Sequence, residues 1–87
     1  MKYFRNDSLY SSVLDDEICL FNSEIGKYHN LNKVGSLIWE ILDKPKDIDN
    51  IVNFLTNKFE VSKEQCFLET KNFLKIAVKE KILLTRS

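Results

Sequence analysis

Few side chains in this sequence are equipped for chemistry, and their spacing keeps them apart. The one histidine, His29, lies in a short strand-like run with no serine, cysteine or carboxylate that position would bring to it, so no Ser/His/Asp or Cys/His set can be nominated. Cys19 and Cys66 are the only cysteines; they are too far apart for a C-x-x-C pair and, with one histidine, too few for a zinc site. Both read as small buried apolar residues. The carboxylate pairs Asp15/Asp16 and Glu40/Asp43 suit a turn and a solvated helix end better than an acid/base couple. The two glycines, Gly26 and Gly35, stand nine apart without G-x-G-x-x-G or GK[ST], which leaves no phosphate loop. No catalytic residue, cofactor site or metal site follows, and the chain reads as a non-enzyme.

Composition narrows the class further. With 87 residues, 44% hydrophobic content, 2 Gly and 1 Pro, the sequence implies one mostly regular domain spanning 1–87. A chain of this length removes only about 60 to 65% of its surface from water on folding, which disfavours a deep catalytic cleft. Thirteen basic residues balance thirteen acidic ones, against the basic excess of a phosphate-coating protein. The N-terminal MKYFRNDS has no apolar run, so neither a signal peptide nor a membrane span is expected, and a cytoplasmic location is the default.

The elements that position these residues divide at Gly26–Trp39, where a strand period gives way to a helical one. Leu9–Leu14 and Glu17–Phe21 are β-favouring runs separated by Asp15 and Asp16, a turn-forming pair, and Lys27–Leu31 returns as a third strand after Asn22–Gly26. This is an antiparallel meander with its first and third strands at the edges. Residues 1–7 carry no period and are expected to fray, although Tyr3 and Phe4 could cover an edge. Asn32 caps a first helix whose stripe is Val34, Leu37, Ile38, Ile41 and Leu42. Pro45 ends it, Asp47 caps a second helix, and Ser62 with Gln65 has the form of a capping box for a third, from near Lys63 to about Lys79. Ile82–Leu84 then lies back on the core as an extended tail. The fold class is α+β, three strands followed by three helices.

The third helix is wider on its apolar side than one neighbour requires. Cys66, Thr70, Phe73, Leu74 and Ala77 form its core stripe, and Phe67, Lys71, Leu74 and Val78 line up along a flanking row. The row reads either as the second contact of a wedged helix or as the wall of a ligand groove. Trp39 poses the same question, since it lies off the stripe of the first helix.

The strings GKYHNLNKVGSLIWEIL, KDIDNIVNFLTNKFEVSKEQ and FLETKNFLKIAVKEKILL together resemble the PqqD-like family, the recognition elements for ribosomally made precursor peptides (RiPPs). The resemblance runs over roughly residues 8–84, and its most specific part is Leu31–Asn32 ahead of Gly35 and Ile38–Trp39. The family often has glycine where this chain has Lys44 and Lys81. The resemblance implies a winged-helix-like domain that binds a precursor leader peptide as an added strand beside the third strand, over a groove with the third helix. Carried over by position, the binding residues are Lys27, Tyr28, His29 and Asn30 on the strand and Phe67, Lys71, Leu74 and Val78 on the helix. Either Lys27 and His29 or Tyr28 and Asn30 then face the peptide. A stand-alone chain of this size is similar to the recognition proteins of lasso-peptide clusters, which implies a leader protease or another RiPP-modifying enzyme as the second partner.

The expected function is therefore non-catalytic leader binding. A small winged-helix nucleic-acid binder is the alternative, disfavoured because Lys63, Lys71, Lys75 and Lys79 on the third helix are interspersed with Glu64, Glu69 and Glu80. A purely structural subunit is a third reading, in which the apolar row is covered by a permanent partner.

Overall fold

Three side-chain caps fix the helix starts. The Asn32 side chain accepts the Gly35 amide at 2.8 Å, Asp47 accepts that of Asn50 at 2.9 Å, and Ser62 that of Gln65 at 3.1 Å. Each such cap is worth ~1 kcal/mol. The Ser62 box closes on one side only, because Gln65 donates its amide to Glu69 at 3.2 Å. The computed structural model describes all residues, 1–87. In chain order they form β1 (Lys2–Arg5), β2 (Tyr10–Leu14), β3 (Glu17–Asn22), β4 (Lys27–Asn30), α1 (Lys33–Ile41), α2 (Ile48–Lys58), α3 (Lys63–Lys79) and β5 (Leu83–Arg86).

The expected meander is present as an antiparallel sheet of order β2-β3-β4. Asp15 (φ 52°) and Asp16 (φ 67°) both adopt left-handed backbone, as the two-residue turn matching strand twist requires. The N-terminus differs from expectation. Residues 2–5 do not fray but pair antiparallel with β5, Lys2 opposite Arg86 and Arg5 opposite Leu83, and Tyr3 exchanges main-chain bonds with Lys46 at 2.8 and 3.1 Å. The extended tail expected at Ile82–Leu84 is the other half of this two-stranded sheet.

Helix α3 reaches that tail through a left-handed residue. Lys81 sits at φ 60°, its amide donates to the Val78 carbonyl at 3.1 Å, and the Ile82 amide donates to Ala77 at 2.8 Å. That is the two-bond termination usually built on glycine, here made by a lysine.

The core gathers Leu20 from β3, Ile38 and Leu42 from α1 and its end, Ile51 from α2, Leu74 from α3 and Leu83 from β5. The buried face of α1 is rotated from the expected stripe: Val34 is 43% exposed, while Gly35, Ser36 and Trp39 are buried. Two contacts cause this. Ser36 Oγ accepts the Ile18 amide at 2.9 Å and donates to the Leu31 carbonyl at 3.2 Å, tying α1 into the sheet. Arg5 donates to the carbonyls of Trp39 (2.7 Å) and Glu40 (2.9 Å) and stacks its guanidinium 5.2 Å from the Trp39 ring, so β1 covers the tryptophan. Cys66 is buried as expected, but Cys19 is only half-buried; both are free thiols.

Candidate functional site: an edge strand above a helix-walled trough

Strand β4 has a neighbour on one side only, β3. Which of its residues present their main chain to the open side follows from one bond, Leu31 N–H to the Ile18 carbonyl at 2.9 Å. Register then places His29 opposite Leu20 and Lys27 opposite Asn22 as the inward-bonded residues of an alternating ladder. Tyr28 and Asn30 therefore point both N–H and C=O outward. Their side chains share the outer face of the sheet with Phe21, whose ring centroid lies 4.5 Å from that of Tyr28. Lys27, His29 and Leu31 point to the opposite face, toward α3.

Between β4 and α3 lies a trough of about 470 Å³ lined on the strand side by Lys27 to Asn32 and on the helix side by Phe73, Ile76, Ala77 and Glu80. A second cleft of about 450 Å³ continues it among the helices, with Asn32 and Phe73 lining both. Gly35 eases this junction: a Cβ there would stand 3.0 Å from Phe73 Cε1, so a larger residue would press the ring away from α1 by a few tenths of an ångström. At the other end the trough is spanned by an ion pair, Lys27 Nζ to Glu80 Oε2 at 3.1 Å. The hydrogen bond and charge of Lys27 hold the Glu80 carboxyl below its ordinary value, against a small opposing effect of burial, and His29 and Lys79 add to the pull.

All four strand residues expected at the site, Lys27, Tyr28, His29 and Asn30, line this trough. The four helix residues do not. Phe67, Lys71, Leu74 and Val78 lie roughly 155° around α3 from the row Phe73, Ile76 and Glu80, counting 100° per residue. Leu74 is core, 1% exposed; Phe67 and Val78 pack half-buried against the core, and Lys71 is in solvent. The physical reason is that a core stripe has two flanks, and periodicity does not say which one meets the sheet edge. Ile76 carried the missed signal: it is a large apolar side chain outside the stripe, and it is 52% exposed. Phe73, taken for core, is a half-buried trough wall.

No three His, Cys, Asp or Glu side chains come together as a metal-binding group, and no helix is long and apolar enough to cross a membrane. What the arrangement offers is a hydrogen-bonding edge above a mixed apolar and charged floor, the equipment of a domain that takes up an extended chain by strand addition.

Known proteins share this fold. Residues 17–83 match the family model for coenzyme PQQ synthesis protein D (PqqD), and the chain belongs to that family. The structure of TbiB1 in complex with the TbiA(beta) leader peptide superposes with a TM-score of 0.86 at 26% identity, covering 97% of this chain and 98% of that one. A lasso peptide synthetase B1 complexed with the leader peptide shares the fold, with a TM-score of 0.83 at 17% identity over 98% of this chain and 100% of that one. No curated protein sequence matches the chain.

Proposed function

We propose that this protein binds the leader segment of a ribosomally made precursor peptide as a fourth strand on β4, and presents it to a separate modifying enzyme or leader protease without performing chemistry itself. The observation that carries this reading is the unpaired edge at Tyr28 and Asn30, set beside a trough walled by Phe73, Ile76 and Glu80. An edge of this kind supplies main-chain bonds, and alternate side chains of the docked strand find the trough. Membership of the PqqD family and the leader-bound state of TbiB1 support it. Nothing in the fold or its relatives favours the nucleic-acid alternative.

This reading assigns the strand side of the site to Lys27, Tyr28, His29 and Asn30, and its helix wall to Phe73, Ile76 and Glu80 in place of Phe67, Lys71, Leu74 and Val78. Panning displayed random linear peptides against the wild-type chain, with the Asn30→Pro variant as counter-screen, tests the reading. Binders are expected that the proline variant loses, and their mass should be unchanged after incubation with the protein alone. Binders that ignore the proline, or a peptide whose mass changes, would sink it.

A further inference from the structure

One residue lining the trough, His29, carries a polar atom with nothing to bond to. His29 Nε2 is out of contact with solvent and has no hydrogen-bond partner, although the residue as a whole is only half-buried. A buried donor or acceptor left unpaired weakens the fold that keeps it, so each such atom calls for a reason. Its surroundings are charged. Lys27 lies two residues earlier on the same face of β4, and Glu80, at the end of α3, is held by Lys27 at 3.1 Å. An imidazole and an ammonium thus share one end of the trough with a single carboxylate.

We propose that His29 and Lys27 form a carboxylate-accepting subsite in the trough floor, which selects a bound strand carrying Asp or Glu in the position opposite His29. The proposal rests on the peptide-binding reading above and adds the side chain the site prefers. Strand geometry locates that position. Tyr28 and Asn30 take the main-chain bonds of a docked antiparallel strand, so the residue opposite His29 falls in a non-hydrogen-bonded pair, where Cα atoms approach to ~4.5 Å and side chains are closest. Its side chain points to the trough, as that of His29 does.

Once the imidazole turns its Nε2 edge into the trough, a carboxylate entering there accepts from Nε2–H and comes within reach of Lys27, whose solvent-exposed bond to Glu80 is of a kind that opens readily. An apolar residue would leave the nitrogen without a partner. A cationic one would meet Lys27. A hydroxyl would bond the imidazole but leave unmatched the ammonium freed when the bridge opens.

The experiment takes a peptide selected in the panning and measures a cycle between His29 and the peptide's acidic position. Selected sequences are expected to concentrate Asp or Glu at one strand position. His29→Leu should weaken the acidic peptide about ten-fold and its Glu→Leu analogue by less than about two-fold, corresponding to one charge-assisted hydrogen bond. The same variant should raise the denaturation midpoint of the free protein, since the unpaired nitrogen is gone. His29→Gln, which keeps a donor, should recover most of the affinity. Absence of an acidic preference, or equal losses for both peptides, would overturn the subsite while leaving peptide binding intact. A panning that returns no binder overturns the peptide-site reading and the subsite with it.

Discussion

The two flanks of α3 differ in what they do with apolar residues. On one, Leu74 is sealed in the core with Phe67 and Val78 half-buried beside it; on the other, Phe73 and Ile76 stay partly in solvent along the open edge of β4. Both flanks satisfy the same helical period. What separates them is the partner surface: the first packs against the interior, while the second faces a strand whose outward amides have no mate. An apolar side chain is left exposed beside an unpaired edge, and the combination, more than either part, is what supports the proposed site.

The largest effect that could break this comparison is in stability. Leu74→Ala is expected to cost ~2 to 5 kcal/mol, the usual range for emptying a fully buried leucine site. Ile76→Ala, half in solvent, should change the denaturant midpoint far less yet weaken peptide binding. If the two substitutions destabilise alike, Ile76 is ordinary core and the trough has no wall.

Next come the two parities of β4. His29→Pro removes an inward donor and leaves the Leu20 carbonyl unpaired, an expected loss of ~1 to 3 kcal/mol. Asn30→Pro and Tyr28→Pro remove outward donors the free fold does not use. Both should remain folded by circular dichroism and bind peptide poorly, with Tyr28→Pro also losing the contact to Phe21. Binding that survives both outward prolines would move the site off the edge strand.

A smaller effect tests the inner flank directly. Val78→Ala removes two half-buried methyl groups, for which ~1 kcal/mol is expected at ~0.8 kcal/mol per group if fully buried. Peptide affinity should be unchanged, because Val78 lies on the far side of the helix from the trough. A loss of affinity without a loss of stability would restore the row Phe67, Lys71, Val78 as the binding wall.

How much of this was legible in the sequence depends on the range of the interactions. Asn32, Asp47 and Ser62 act within three residues, and the Asp15–Asp16 turn within two, so helix starts and the hairpin could be read directly. Strand β1 could not, because KYFR has no period of its own and its partner is at the opposite end of the chain. The same contact hid the orientation of α1: Trp39 is buried because Arg5 covers it, and Val34 is exposed in exchange. In the site we propose, the strand edge could be read from the sequence and the helix wall beside it could not. Which flank of α3 meets β4, and which parity of β4 faces outward, are set by tertiary contacts such as the Leu31 to Ile18 bond, which leave no mark on local spacing.

The smallest expected effect concerns the ion pair that closes the trough. Glu80 titrates below its ordinary value of 4.5 because Lys27 bonds and attracts its ionised form. A carboxyl with a depressed folded pKa contributes stability at pH values above its unfolded pKa, and that contribution is lost as pH falls through the folded value. Both partners are solvent-exposed, so the contribution is small and sensitive to salt. Denaturation midpoints of the wild type and Glu80→Gln should therefore differ slightly at neutral pH and low salt, converge as the pH drops well below 4.5, and converge also at high salt. The two flanks of α3 make opposite demands here. A bridge that merely fastened α3 to β4 would tighten the protein and leave its peptide affinity unaffected, whereas one standing across a strand site must open on docking. Glu80→Gln should thus lose a little stability while keeping or gaining affinity for the selected peptides at neutral pH. A clear loss of affinity would instead make Glu80 a direct contact of the bound strand and place the peptide over the bridge rather than through it.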